Sequence, residues 1–184
     1  LLLLPTWSII HTRHWKMQIP YLARHCRVVT FDGRGNGASD RALTGYDGLT
    51  FTGDALAVLE ATGTERATLV SLSMGAQWAL RLAAEHPERV DGAVFICPSV
   101  SIGEPVAGRR LHSWNEELDT DDGWAKYNRH FWHREYAGFL EFFFGQMFTE
   151  PHSTKPIEDC VGWGLETPPE VLVREAADLG LSAL

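Results

Sequence analysis

Four short apolar runs, each followed by a stretch of helical character, govern what this chain can fold into. Residues 1–4 are four leucines ended by Pro5. Residues 27–31 are β-branched and run into Asp32 and glycines. Residues 67–72 and 90–97 are the other two runs, the last closed by Pro98. Runs of this length, bounded by turn residues, read as strands, and residues 1–4 as a buried strand of a parallel sheet. Helical periodicity fills the gaps. Residues 15–25 place Trp15, Ile19, Leu22 and Ala23 on one face, with Pro20 disturbing the early part. Residues 50–62 carry Phe51, Ala55, Val58 and Leu59 at i, i+4, i+7 and i+8, and Gly63 stops them. Residues 74–86 align Ala76, Ala79, Leu80 and Ala83 and are closed by Pro87. Strands separated by helices predict an α/β fold: a mostly parallel sheet flanked by helices.

The texture changes after about Ser101, where no clear strand follows. Tyr136, Phe139, Leu140, Phe143, Phe144 and Met147 form a stripe at helical spacing. Thr167-Pro168-Pro169-Glu170 reads as a capping box with proline at the first helical position, opening a last helix through Val173 and Ala177. This predicts two parts: residues 1–101 as the α/β core and residues 102–184 as an appended helical segment. That segment holds four of the seven Trp and six of the nine Phe.

Composition excludes several functions. A formal charge of −8 argues against a nucleic-acid partner, which needs a basic face. Three widely spaced cysteines, Cys26, Cys97 and Cys160, suit reduced thiols in a cytoplasmic compartment and not a disulfide framework. The leucine run at residues 1–4 is too short to span a bilayer and has no basic flank before it, so no membrane association is expected.

Chemistry concentrates at Leu69-Val70-Ser71-Leu72-Ser73-Met74-Gly75-Ala76. A serine on a sharp strand-to-helix turn has its hydroxyl aimed out of the sheet, and the next backbone N–H points at a developing oxyanion. Such a turn is crowded, so the residues two before and two after the serine must be small. Gly75 satisfies this; Ser71 stands where the G-x-S-x-G pattern has glycine. The window supports two readings of Ser73: a nucleophile, or only a helix N-cap.

Three ordered segments resemble the α/β-hydrolase superfamily, in its esterase-like and acyltransferase-like branch with a helical cap. They are Leu1-Leu2-Leu3-Leu4-Pro5-Thr6-Trp7, then Val28-Val29-Thr30-Phe31-Asp32-Gly33-Arg34-Gly35-Asn36-Gly37-Ala38-Ser39, then the Ser73 elbow with His86-Pro87-Glu88-Arg89-Val90. The resemblance implies Ser73 as nucleophile, with the backbone N–H groups of Met74 and Trp7 as the oxyanion hole. Pro5-Thr6 departs from the His-Gly of the family and lacks the freedom of glycine. Trp7 also reads as a plain core aromatic.

Gly33, Gly35 and Gly37 are spaced G-x-G-x-G, not as a dinucleotide loop, and read as turn glycines, with Asp32 and Arg34 holding the turn or touching substrate. The family order Ser…Asp/Glu…His finds no partner for Ser73. Glu104 is a weak candidate acid, and His86, His112, His130, His133 and His152 read as solvated or packed. His130 and His133 do not make a zinc motif, and Cys97 is either a reactive thiol or a small buried apolar residue. The triad acid and histidine are therefore expected outside this chain, an internal fragment inactive alone. The resemblance implies hydrolysis of an ester or related acyl substrate, small and fairly apolar, through an acyl-serine and with no metal or organic cofactor. The alternative is a non-catalytic, hydrolase-like ligand-binding or regulatory domain of a larger protein.

Overall fold

A computed structural model describes residues 1–100 and 114–179. The chain divides into two compact units, Leu1–Ser101 and Ile102–Leu184.

The first unit is built on four strands: β1 (Leu2–Leu3), β2 (Val29–Thr30), β3 (Ala67–Leu72) and β4 (Val90–Ile96). Their order is β2-β1-β3-β4, and every pair is parallel. Leu2 lies opposite both Val29 and Leu69, so the leucine run sits in the middle of the sheet. Hydrogen bonds Val29 N–H to Leu1 O and Leu4 N–H to Val70 O, both 2.9 Å, extend the pairing over all four leucines. Leu2, Leu3 and Leu4 are fully buried, as continuous runs in parallel sheets should be.

The strands are joined by helices α1 (Gln18–Leu22), α2 (Gly48–Ala61) and α3 (Gly75–Glu85). Asp47 caps α2, accepting from the N–H groups of Leu49 and Thr50. Phe51 of α2 stacks on Trp78 of α3 with ring centroids 4.5 Å apart. Ala55, Leu59, Ala79 and Leu82 close the core against Leu2, Leu4 and Leu69. By the usual area bookkeeping, each fully buried leucine contributes roughly 1.5–3 kcal/mol.

The helix expected over residues 15–25 is instead two pieces, a 3-10 turn at Thr12–Trp15 and the short α1. Proline explains the break. Pro20 falls in the first turn of α1, where its missing N–H needs no partner. Of the predicted face, only Trp15 is buried, and its Nε1 donates to Leu4 O at 3.2 Å.

The second unit contains α4 (Arg129–Met147), α5 (Thr154–Leu165) and α6 (Pro169–Asp178). Asn128 caps α4. The aromatic stripe is partly as expected: Phe139, Leu140 and Phe144 are buried, while Met147 is exposed. Glu135 interrupts α4 with non-helical φ −147° and ψ 60°. Trp132 packs on Phe139 at 4.5 Å and on Trp114 at 4.7 Å. Helix α5 was not anticipated, because Pro156, Gly162 and Gly164 obscure its period; Pro156 again sits in the first turn. Helix α6 begins one residue later than expected, since Pro168 is extended at ψ 147°.

Candidate active site

Strand β3 ends at Leu72 and helix α3 begins at Gly75, so the chain reverses over two residues. Ser73 takes a left-handed φ of 51°, a conformation a serine adopts only when its surroundings hold it there. The surroundings are identifiable. Ser73 N–H donates to Ile96 O at 3.0 Å, Ser99 N–H donates to Ser73 O at 3.0 Å, and Gln77 Nε2 donates to Ser99 O at 3.0 Å. The segment after β4 thus grips the turn on both sides of Ser73.

The crowding argued from sequence is measurable. A Cβ on Gly75 would lie 2.7 Å from Pro5 O and 3.5 Å from Ser71 Cβ. Ser71 is itself fully buried. Any larger pair at these two positions would push the turn away from the loop after β1. The N-cap reading of Ser73 is not what the structure has. The residue before α3 is Met74, and it makes no side-chain cap hydrogen bond. Among the described residues, no hydrogen bond uses the Met74 N–H, which stands at the head of α3 where the helix dipole favours negative charge.

Trp7, the other expected oxyanion donor, is 6% exposed. Its ring is a core aromatic. The loop that carries it, residues 5–12, is braced from the glycine turn. Asn36 Nδ2 donates to Ser8 O at 2.6 Å. Asp32 Oδ1 accepts from the Thr12 N–H at 3.0 Å and from the Thr12 hydroxyl, and Oδ2 accepts from Ala38 N–H at 2.9 Å. Burial pushes the Asp32 carboxyl up, but the Thr12 and Ala38 hydrogen bonds outweigh it, and the net shift is below the ordinary carboxylate value.

The glycines build a turn, as expected. Gly35 and Gly37 have φ of 79° and 51°, and a Cβ on Gly37 would overlap the Asp32 carboxylate. The next helix opens only at Gly48, unlike a dinucleotide loop. Arg34 holds Asp54 of α2 through two hydrogen bonds of 2.7 and 2.6 Å. A recess of about 440 Å³ beside Phe31, Asp32, Arg34, Asp54 and Val58 does not include Ser73.

His14 is half-buried in the 3-10 turn at Thr12–Trp15 that follows the loop after β1. Its Nδ1 lies 2.9 Å from His11 O, while its buried Nε2 has no hydrogen-bond partner. Burial drives its pKa down from 6.5 to about 4, so the ring is neutral near pH 7. Among the described residues, no hydrogen bond joins Ser73 to a histidine or carboxylate. His86 lies 3.6 Å from Glu88 and His133 3.7 Å from Glu170, while His130 Nε2 contacts Asn115 O at 2.9 Å. Glu104 and His112 lie outside the described residues. Cys97 is exposed, which removes its reading as a buried apolar residue. No three or more His, Cys, Asp and Glu side chains come together as a metal site among the described residues. No helix among them is long and apolar enough to cross a membrane.

A strand, a strained serine, a helix head and a parallel sheet in this order agree with the comparison to known proteins. The model of the α/β hydrolase fold matches residues 1–162. The chain belongs to the α/β-hydrolase fold family. A putative carbamate hydrolase from a Caulobacter species is 37% identical over 83 residues, 45% of this chain and 31% of the relative. The 2-hydroxymuconate semialdehyde hydrolase of a Pseudomonas species is 41% identical over 94 residues, 50% of this chain and 33% of the relative. An esterase structure from Exiguobacterium antarcticum superposes with a TM-score of 0.74 at 18% identity, over 97% of this chain and 64% of that one. The matched segments span about a third of these curated relatives.

Three residues that brace the Ser73 turn and the loop after β1 were not singled out in the sequence: Asn36, Thr12 and Gln77. Asn36 and Gln77 reach backbone carbonyls distant in sequence and Thr12 reaches the Asp32 carboxylate, and only Asn36, a polar residue inside a glycine run, carried a local hint.

Proposed function

We propose that this α/β-hydrolase chain carries the nucleophile of a serine hydrolase acting on a small, fairly apolar ester or related acyl substrate. The observation that carries the reading is the strained turn at Ser73, gripped on both sides and followed by a Met74 N–H that no hydrogen bond among the described residues uses. A general base takes the Ser73 proton as Oγ bonds to the acyl carbon. The carbonyl π electrons move to oxygen, the resulting oxyanion accepts hydrogen bonds from the N–H groups of Met74 and Trp7, and the pair returns to re-form the carbonyl as the leaving group departs. The ester C–O bond then breaks, the leaving alcohol takes the proton, and water releases the acid and restores Ser73 by the same route. The aromatic-rich helical unit supports an apolar substrate. Among the described residues no base or acid bonds to Ser73, and residues 1–184 alone are expected to show no esterase turnover. The scheme needs no metal or organic cofactor, and the reading places the protein in the cytoplasm.

Pro5-Thr6 in the loop after β1 favours one other reading, a non-catalytic ligand-binding or regulatory domain. Rapid mixing of the longer protein that contains this chain with a p-nitrophenyl ester separates the two. A burst of one nitrophenolate per chain, absent in Ser73→Ala, is the enzyme's result. Ester binding with no burst would overturn it.

A further inference from the structure

We infer that Asn36 is a positioning residue for the oxyanion side of the site, acting through the Ser8 carbonyl; the inference rests on the proposed role of the Trp7 N–H. Asn36 is 1% exposed and lies 28 residues along the chain from Ser8, on the turn after β2. Its amide orientation follows from its neighbours. Gly37 N–H must donate to the carbonyl Oδ1, at 2.8 Å, so Nδ2 is the atom facing Ser8 O at 2.6 Å. The same side chain therefore reads its own turn with one atom and holds the loop after β1 with the other.

That loop needs an external hold. Residues 5–12 include no regular element before the 3-10 turn at Thr12, and Ile10 N–H to Trp7 O is a long hydrogen bond at 3.4 Å. Pro5 and Thr6 precede Trp7, so the loop lacks the glycine that lets backbone approach an oxyanion unaided. Asp32 fixes the far end of the loop at Thr12, and β1 fixes the near end at Leu4. Asn36 holds the middle, one residue from Trp7. A donor aimed at an oxyanion must hold its place to within a fraction of an ångström, and a 1 Å misplacement lowers rate about a hundredfold. The turn glycines serve this arrangement: Gly35 and Gly37 take left-handed φ on either side of Asn36 and turn its side chain inward.

The test compares wild type with Asn36→Ala and Asn36→Asp. The aspartate keeps the acceptor for Gly37 N–H and lacks the donor to Ser8 O. Hydrogen exchange is followed by mass spectrometry on the peptide covering residues 6–12, in this chain, at matched global stability. In the longer protein, p-nitrophenyl ester turnover is measured per titrated active site. Both variants should exchange residues 6–12 at least tenfold faster, and kcat should fall about tenfold or more with KM within threefold. Asn36→His, whose ring N–H occupies nearly the same place as Nδ2, should recover part of both. Unchanged exchange in both variants overturns the inference. Faster exchange with unchanged kcat overturns the positioning role. If wild type has no Ser73-dependent turnover, the proposed function fails separately, and the exchange result alone decides whether Asn36 holds the loop.

Discussion

Gly75→Ala tests how closely the elbow and the loop after β1 approach one another. The added Cβ would meet Pro5 O at 2.7 Å, against 3.4 Å for ordinary contact, so one segment must yield by 3.4 − 2.7 = 0.7 Å. The obstacle is backbone carbonyl, not the flexible end of a side chain, so relief requires moving Pro5 or the start of α3. Overpacking of this kind costs about 1–3 kcal/mol. The helix propensity gained from alanine returns at most about 1 kcal/mol, and less at the first helical position. The expected net destabilisation is about 1–2 kcal/mol, or a urea midpoint lowered by about 0.5–1 M for an m-value near 2 kcal/mol/M. Gly53→Ala is the control. It lies within α2 with nothing within 4 Å of the new methyl, and should be stabilised by about 0.5–1 kcal/mol. If both variants raise the midpoint alike, the close approach of Pro5 to α3 is wrong, and with it the physical reason for a small residue at position 75.

Other outcomes follow from the same loops. Unfolded His14 binds its proton near pH 6.5 and folded His14 only near pH 4. Protonation therefore favours unfolding, and stability should be level above about pH 6.5 and fall between 6.5 and 4 by up to about 3 kcal/mol. Urea midpoints at pH 7 and 4.5 measure this, and His14→Phe should remove most of the difference; an equal slope in the variant contradicts the burial of His14. At the elbow, Ser73→Gly should be about 1 kcal/mol more stable than Ser73→Ala, because only glycine adopts φ 51° without strain. Equal urea midpoints for the two variants would mean that the turn is not strained.

The sheet was legible because its strands are short apolar or β-branched runs closed by turn residues, although only β1 is buried throughout and β4 is largely exposed. Residues 1–4 announce themselves by unbroken apolar character, residues 67–72 and 90–96 by apolar runs that Ser71 and Asp91 interrupt, and parallel order follows from the helices between them. Helix α2 was legible through a clean 3.6-residue period. Helix α5 was not, since its glycines and Pro156 blur that period, and the prolines near α1 and α6 shifted those boundaries. The elbow could be read because crowding constrains residue size locally at Ser71 and Gly75. The brace on the loop after β1 could not, because Asn36 and Asp32 reach backbone groups 28 and 20 residues away. Such pairings are set by tertiary packing and leave no spacing signal.

The central claim is that Ser73 is a nucleophile, and covalent labelling tests it most directly. The full-length protein is treated with a fluorophosphonate probe, digested and analysed by mass spectrometry. The account predicts one adduct per chain, on the peptide containing Ser73, and none in Ser73→Ala. A folded wild type that takes no label, or a Ser73→Ala variant labelled as fast as wild type, would contradict it.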